Sequence, residues 1–326
     1  MTQPTNDQFL NCITDSISAA HRFSHEAMAT VFEIFIIHEE GNYAGQAALA
    51  AFDELDKIER NLSRFIENSD ISQINRLAVG QSLKLCEDAF RCLQLAADIY
   101  DQTNGAFDIT VGSLLSCRIA EDKTLRKPSA QDLDLARRCT GMAAFQLDET
   151  EHTITLLSGP VQIDLGGIGK GYAVDRMAEL LADWSIDTAL VHSGQSSVLA
   201  LGAPPRSKGW PVTLTSPDNP KEILAHLYLC EKALSGSGLQ KGPHIIDPRR
   251  GLPVEGKIAA WSSAPDGATA DALSTAFMVM APDEIKKYCR RCPDVRAMII
   301  LQDESLETPQ GRLLHFGSWR IDKQPQ

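Results

Sequence analysis

Alternation of apolar and polar positions predicts strands at several points along the chain. The segment TVFEIFII (30–37) follows this pattern, and TALVHSG (188–194) and SVLALG (197–202) are also predicted strands. A period of two is typical of a strand that buries one face. The segments IAAWSS (258–263) and AMIIL (297–301) are two further predicted strands, which flank a helical stretch.

Apolar residues at helical spacing predict helices between these strands. Asn104-Gly105 is a stop signal for one of them, and Ser129 with Asp132 resembles a capping box at the start of another. The predicted helices run from about Ala44 to Leu62, from Glu87 to Tyr100, over a short stretch after Ser129, over 172–184 and over 269–280.

Turn residues predict one hairpin and one long loop. HTITLL (152–157) and PVQIDL (160–165) have the composition of two strands, and Ser158-Gly159 between them is a hairpin signal. Residues 203–220 are rich in Pro, Gly and Ser and predict a loop. Because strands and helices alternate irregularly and hairpins occur, an α+β fold is favoured over a doubly wound parallel sheet.

Composition narrows the function classes. The chain has 326 residues, 43% hydrophobic and 23% charged, which is ordinary for a globular protein. A net charge of −12 argues against a nucleic-acid partner, since neutralising phosphates requires a basic face. The N-terminus has no basic region followed by an apolar run, which a secretory signal requires. The segment FLNC (9–12) lacks the preceding apolar stretch of a lipoprotein cleavage box. No apolar segment reaches the length of a membrane span. We therefore expect a cytoplasmic protein that does not span a membrane.

Eight cysteines are scattered along the chain, which does not resemble a disulfide framework. Cys289 and Cys292 form one C-x-x-C pair, but neither a second pair nor nearby histidines follow it. A zinc site would need those additional ligands. We interpret the two as incidental thiols.

The segment DLGGIGKGYAVD (164–175) is the most informative glycine cluster. It fails the P-loop pattern and has the wrong spacing for a dinucleotide fingerprint. It nevertheless lies between a predicted strand and a predicted helix, where backbone N–H groups and a helix N-terminus favour an anion. From the pattern alone, a plain turn at a helix start and a phosphate site with Lys170 as its cation are equally supported.

Acidic residues favour the phosphate site. Asp164 enters the turn, and Asp271 in ATADALSTA is followed by Ser274 and Thr275 on the same helical face. A carboxylate, a hydroxyl and a carbonyl oxygen are ligands that Mg²⁺ prefers beside phosphates. Taken singly, Asp271 and Thr275 are more often a helix cap and a solvated hydroxyl, and the histidine of GPHIIDPRRG (242–251) is more often structural.

Together these segments resemble the FAD:protein FMN transferases of the ApbE family. Six segments match that family's motifs in order over about residues 22–320: EAMATVFEI, LSRFIENSDISQIN, NGAFDITVGSL, IDLGGIGKGYAVD, HIIDPRRGLP and ADALSTA. The resemblance implies an α+β, ApbE-like and T-fold-related structure with largely antiparallel sheets and packed helices. It also implies a single domain over 22–321, preceded by a polar and flexible leader (1–21) and followed by a tail (322–326).

The resemblance implies a specific reaction. Family members cleave the pyrophosphate of FAD in the presence of Mg²⁺ and attach FMN by a phosphoester bond to a Thr or Ser of an acceptor protein, with release of AMP. Some members instead hydrolyse FAD to FMN and AMP. A magnesium-dependent FAD pyrophosphatase and a non-catalytic FAD-binding protein are therefore the alternatives.

The resemblance also assigns residues. His244, as the base or the group that orients the acceptor hydroxyl, Lys170 and Asp271 are the implied catalytic residues. The implied Mg²⁺ ligands are the carbonyl of Gly167 and the side chains of Asp271 and Thr275. The implied FAD contacts are Met28, Phe65, Ala106, Phe107, Asp108, Asp164, Lys170 and Ile245.

Three departures from the family pattern bear on these assignments. The family's Met-Gly-Thr is Met28-Ala29-Thr30 here, and the added methyl group is expected to crowd a close backbone approach. Its Gly-Gly is Gly194-Gln195, and the chain between ALSGSG and HIIDP is short, which predicts a reduced lid over the flavin. FAD and Mg²⁺ binding follow more directly from the motifs than transfer to a protein does.

Overall fold

A computed structural model describes most of the chain as two compact units. The described residues are 10–12, 20–118, 124, 126–217, 219, 221–240, 242, 244–302 and 312–319. The first unit contains residues up to Leu55 together with 170–240 and the part from Gly256 onward, and the second contains 56–169 and 241–255. The single domain predicted over 22–321 stays a prediction, and the predicted tail lies outside the described residues.

The first unit is built on an eight-stranded sheet in which every neighbouring pair is antiparallel. Its strands, in spatial order, are β16 (Leu313–Phe316), β15 (Arg296–Leu301), β14 (Lys257–Ala264), β11 (Lys232–Gly238), β8 (Ser197–Leu201), β7 (Ala189–Ser193), β3 (Thr30–Ile37) and β2 (Ala20–Ala27). A second sheet of this unit has the order β1 (Leu10–Cys12), β9 (Trp210–Thr215) and β10 (Ile223–Leu229).

The core of this unit follows from the alternation of its strands. Apolar residues from the large sheet and from β9 and β10 form one cluster in which Trp210 and Trp261 are fully buried. Ser197 of β8, Ser235 and Ser237 of β11 and Ser262 of β14 occupy the alternate positions and point to the other face. Helix α7 (Gly267–Val279) packs on these three strands, and α6 (Gly169–Asp183) and α8 (Pro282–Arg291) are the other helices that lie in this unit.

The second unit consists of short helices and two small antiparallel sheets. The sheets are β4 (Ser82–Lys84), β6 (Thr153–Leu156) and β5 (Phe145–Asp148), in that order, and the pair β12 (Ile246–Asp247) and β13 (Leu252–Pro253). The helices are α2 (Asp70–Ile74), α3 (Glu87–Gln102), α4 (Gly112–Arg118) and α5 (Ala130–Arg138); α1 (Gly41–Leu62) contains the boundary between the two units. Leu114, Ala136 and Ile246 form a small core here.

The predicted α+β class and most predicted elements are confirmed. The strand predicted over 30–37 is β3, and the helix predicted from about Ala44 is α1. The capping prediction also holds, because the hydroxyl of Ser129 accepts the N–H of Asp132 at 3.1 Å at the start of α5.

Two predictions about residues 152–220 are wrong. The segment 160–165 does not form a hairpin with β6, which instead pairs with β4 and β5. It makes one parallel bridge, between Gln162 and Val111, and the amide of Asn75 satisfies the backbone of Ile163. The predicted loop over 203–220 contains β9, whose residues gain partners on both sides from β1 and β10.

Candidate functional site

Within the first unit, Asp271 and Gly171 tie α7 to the first turn of α6. The Asp271 side chain is buried, and its Oδ2 accepts the N–H of Gly171 at 3.0 Å. A Cβ at position 171 would overlap the carbonyl oxygen of Gly267 and lie 2.7 Å from the Cβ of Asp271. The helices approach this closely because residue 171 has no side chain.

A second carboxylate, that of Asp175, connects α6 to the backbone of α7. Asp175 on α6 accepts the N–H groups of Gly267 at 2.5 Å and Ala268 at 2.8 Å, at the N-terminus of α7. Burial, together with the neighbouring carboxylate of Asp266, raises the pKa of Asp175 to about 7. Each helix therefore supplies one aspartate to the backbone of the other.

One hydroxyl group of β11 lies close to two hydroxyl groups of α7, one of which belongs to the predicted Mg²⁺ ligand Thr275. Ser237 Oγ on β11 lies 2.7 Å from Ser274 Oγ and 3.1 Å from Thr275 Oγ1. Thr275 follows Asp271 by one helical turn, so the two predicted ligands share a face. Ser274 Oγ donates to the backbone carbonyl of Asp271 at 2.8 Å. A buried carboxylate and a hydroxyl on one helical face are oxygen ligands of the kind that a hard cation such as Mg²⁺ prefers.

The predicted ligands do not include the usual metal-binding cluster. In the described part of the chain, no three His, Cys, Asp or Glu side chains converge in a way that would hold a metal ion. A cation at Asp271 therefore requires hydroxyl, carbonyl or water oxygens as its other ligands, which suits Mg²⁺ better than Zn²⁺.

In the second unit the glycine turn is stabilised mainly by its own atoms. Asp164 Oδ1 accepts the N–H of Gly166 at 2.7 Å, and the carbonyl of Leu165 accepts the N–H groups of Ile168 and Gly169. These donors are thus engaged within the protein rather than aligned toward an anion. Gly167, the predicted carbonyl ligand, is half-buried in this turn. Lys170, the second residue of α6, is also half-buried.

The structure brings two predicted FAD contacts together through Arg64. Its Nε lies 3.0 Å from Asp164 Oδ2, and its guanidinium carbon lies 4.5 Å from the centroid of the Phe65 ring. Phe65 is 82% exposed, whereas the Phe107 ring is 4% exposed. Of these two predicted aromatic contacts, only Phe65 presents its ring to the surface.

The segment 106–108 is buried beside a polar cavity. Asp108 Oδ1 accepts both the N–H of Thr110 at 2.7 Å and its hydroxyl at 2.6 Å, and burial raises the pKa of Asp108. A cavity of about 270 Å³ adjoins Asp108, and Arg137 and Arg249 contribute to its lining. Ala106 is 1% exposed, so its side chain belongs to the core.

His244 and Ile245 precede β12. His244 is exposed, and its Nδ1 lies 2.8 Å from the carbonyl oxygen of Gly242. Because a carbonyl only accepts, Nδ1 carries the proton of the neutral ring and Nε2 is the basic nitrogen. Ile245 is buried, and its carbonyl accepts the N–H of Val254 at 3.0 Å.

Met28 occupies a strained turn. Met28 and Ala29 connect β2 and β3, and their φ angles are 50° and 56°. Both residues are thus in the left-handed region that favours glycine. The Ala29 side chain is exposed. The effect of Ala29 that the structure shows is therefore its left-handed backbone conformation.

The C-x-x-C pair has no reactive thiol at Cys289. Burial, with Cys292 nearby, raises the pKa of Cys289 to about 12, so its thiol is protonated at neutral pH. The interpretation of Cys289 and Cys292 as incidental thiols stays a prediction. Of the helices in the described residues, none combines the length and apolarity needed to cross a membrane.

Sequence reasoning missed Arg64, Asp175 and Ser237. Arg64 directly precedes Phe65, and Asp175 follows Gly171 by four residues, so helical spacing within the glycine motif was an available signal for Asp175. Nothing in the sequence indicates that Ser237 faces Ser274 and Thr275, because that contact depends on the packing of α7 on the sheet.

Comparison with known proteins gives one consistent result. Residues 28–299 match the ApbE family. A Chlamydia muridarum protein named FAD:protein FMN transferase is 30% identical over 237 residues, covering 69% of this chain and 72% of that protein. A Klebsiella pneumoniae protein of the same name is 26% identical over 318 residues, covering 92% and 91%. The crystal structure of the ApbE protein from Thermotoga maritima has a TM-score of 0.78 at 27% identity and covers 87% and 94%. The matches confirm the ApbE-like fold.

Proposed function

The chain belongs to the ApbE family, and from that premise we propose that it is a magnesium-dependent FAD:protein FMN transferase. It cleaves the pyrophosphate of FAD, attaches FMN by a phosphoester bond to a Thr or Ser of an acceptor protein and releases AMP. The relatives with that name, which cover up to 92% of this chain, support the activity. The observation that carries the proposal is the buried Asp271 carboxylate, which accepts the N–H of Gly171 through Oδ2 and shares a helical face with the Thr275 hydroxyl.

We assign Mg²⁺ to Asp271, Thr275 and the carbonyl of Gly167. The position of the Thr275 hydroxyl one helical turn after Asp271 supports this assignment, since hard oxygen ligands suit the ion. When bound, Mg²⁺ neutralises negative charge on the phosphate groups of FAD. Asp271 also keeps its contact with the first turn of α6, next to Lys170.

The remaining residues bind FAD and move a proton. Lys170 balances charge that develops on the phosphate of the leaving AMP. His244 Nε2 takes the proton of the acceptor hydroxyl, while its Nδ1–H bond to Gly242 orients the ring. We assign FAD contacts to Met28, Phe65, Ala106, Phe107, Asp108, Asp164, Lys170 and Ile245. Ala106, Phe107 and Ile245 are buried, so they contribute mainly through the shape and backbone of the site.

One experiment separates transfer from its alternatives. The purified protein is incubated with FAD, MgCl₂ and a flavin-accepting domain, and in parallel with the same domain whose acceptor Thr is changed to Ala. Transfer predicts covalent FMN on the first domain only, detected by in-gel fluorescence and intact mass, with one AMP released for each FMN attached. Free FMN and AMP in both reactions would instead establish hydrolysis, and bound but unchanged FAD a binding protein. Either result would contradict the proposed transfer.

A further inference from the structure

An exposed aromatic ring in the second unit lies against a cationic side chain. Among the described residues, Phe65 is the most exposed large hydrophobic residue, at 82%. The guanidinium of Arg64 lies over one face of its ring, 4.5 Å from the centroid. A cation at this distance attracts the ring face, so the ring is restrained from one side while much of its surface is open to solvent.

Arg64 is restrained in turn. Its Nε lies 3.0 Å from Asp164 Oδ2, and the other oxygen of Asp164 accepts the N–H of Gly166. The guanidinium therefore connects an exposed ring to a carboxylate that belongs to the glycine turn. Removing the Arg64 side chain would remove one contact from each of these two groups.

The backbone around Phe65 is also anchored. Ser72 Oγ donates to the carbonyl of Arg64 at 2.9 Å, and Ser69 Oγ donates to the carbonyl of Ser63 at 2.6 Å. The N–H of Phe65 donates to Ser63 Oγ at 3.3 Å. A planar apolar ring that is exposed and held by its neighbours is suited to stack on a planar ring of a ligand.

We propose that Arg64 is a positioning residue for FAD, which holds the Phe65 ring and the Asp164 carboxylate as one preorganised unit so that an aromatic ring of FAD stacks on Phe65. This inference rests on the proposed function, because FAD is the ligand named there. Arg64 acts through its two neighbours rather than on the reacting phosphate groups. Its loss therefore weakens FAD binding and raises the KM for FAD, while kcat at saturating FAD is retained.

The test is a double-mutant cycle on FAD affinity. Isothermal titration calorimetry with FAD in EDTA, where the proposed enzyme does not turn over, compares the wild type with Arg64→Ala, Phe65→Leu and the double variant. Arg64→Ala is expected to weaken FAD binding about threefold to tenfold, the combined scale of one cation–π contact and one partly exposed ion pair. In the Phe65→Leu background, Arg64→Ala is expected to weaken FAD binding clearly less, because the aromatic ring that Arg64 contacts is already absent.

Two further variants distinguish positioning from general damage. Arg64→Lys keeps the positive charge but loses the planar guanidinium, so its affinity for FAD is expected to lie between those of Arg64→Ala and the wild type. Arg91→Ala removes another ion pair of the same unit, with Glu87 on α3 at 3.0 Å, and is expected to bind FAD like the wild type. Unfolding temperatures of all variants are measured to show that the fold is intact.

Three results would overturn the inference, and they differ from failure of the proposed function. Unchanged FAD affinity in Arg64→Ala, full additivity with Phe65→Leu, or an equal loss in Arg91→Ala would each show that Arg64 does not position Phe65. If the wild type itself does not bind FAD, the proposed function fails and this inference fails with it. If the wild type binds and transfers FMN while Arg64→Ala binds equally well, only the inference fails.

Discussion

The carboxylate of Asp271 accepts a hydrogen bond from the backbone N–H of Gly171, which lies 100 residues earlier in the chain. Asp175 makes the reciprocal contact, from α6 to the first N–H groups of α7. Carboxylates that accept backbone N–H groups at helix starts are stabilised by the helix dipole. The two helices that carry Lys170, Asp271 and Thr275 are therefore fixed to each other by polar contacts as well as by packing.

This contact makes Gly171 intolerant of a side chain. Gly171→Ala places a methyl group against the carbonyl of Gly267 and forces α6 and α7 apart. We expect a loss of about 1–3 kcal/mol in the free energy of unfolding, measured by urea denaturation. Gly169→Ala is the matched control, because its Cβ would meet only the Cβ of Leu165 at 3.7 Å. Equal stabilities of the two variants would contradict the proposed close packing.

How far the sequence predicts this fold depends on the element. Strand β3 and helix α1 were predicted because their apolar periodicity is clear in the sequence. Strand β11, KALSGSG, was not predicted, since Ser and Gly resemble a turn. It is a strand because β8 and β14 pair with it on both sides, and its small residues allow α7 to pack closely.

In the candidate site, residues that stand in sequence motifs were predictable, whereas residues defined by long-range contacts were not. Asp164, Lys170 and Asp271 stand in recognisable motifs, so they were identified before any contact was known. The pairing of Asp175 with Gly267 joins positions 92 residues apart, and no local pattern reports such a contact. Arg64 was missed for a related reason, because its role depends on Asp164 being folded against it.

Asp271→Asn tests the proposed Mg²⁺ ligand without removing the contact to Gly171. The amide oxygen of Asn still accepts the Gly171 N–H, but the negative charge is lost. We expect Mg²⁺ affinity to fall at least about tenfold, since even residues outside the ligand shell contribute that much at metal sites. Mn²⁺ binding followed by electron paramagnetic resonance gives the affinity of a probe ion independently of turnover. Asp283→Asn, at an exposed position of α8, is the control, and an equal affinity of both variants would refute the assignment.

His244→Ala tests the proposed base. Because Nδ1 is bound to the carbonyl of Gly242, Nε2 is the nitrogen that accepts a proton. The rate of FMN transfer is expected to fall about 10²–10⁴-fold with FAD affinity retained. His226→Ala on β10, where the imidazole lies near Thr213, is expected to transfer at the wild-type rate. A His244 variant with normal transfer, or one that no longer binds FAD, would exclude the base role.

Ala29→Gly is expected to stabilise the protein. Ala29 has a φ of 56° in the two-residue turn between β2 and β3, a conformation that glycine adopts without steric strain. The relief of strain is partly offset by the greater freedom of glycine in the unfolded chain, so the net gain is up to about 1 kcal/mol. Ala27→Gly, at the buried end of β2, is expected to destabilise instead. Thermal unfolding of both variants compares the two effects, and destabilisation by Ala29→Gly would count against turn strain.

Asp175 is expected to make stability depend on pH. Burial and the neighbouring Asp266 raise its pKa from 3.8 to about 7 in the folded protein. Between pH 3.8 and about 7, Asp175 is therefore protonated in the folded state but ionised in the unfolded state. The contribution of this group is fully present below pH 3.8 and is lost as the pH rises through about 7, with a slope of about 1.4 kcal/mol per pH unit between these values.

Urea unfolding between pH 4.5 and 8 isolates this term when the wild type is compared with Asp175→Asn. The variant loses one acceptor for the α7 backbone, which lowers its stability by a constant amount, but it has no charge to titrate. Its stability is expected to fall less with rising pH than that of the wild type. Asp266→Asn still caps the N–H of Thr269 but removes the nearby charge, so the pH-dependent loss shifts to lower pH. If the stability of Asp175→Asn and that of the wild type change equally with pH, Asp175 is already ionised across this range. Its carboxylate then accepts the N–H groups of Gly267 and Ala268 as an anion at every pH tested.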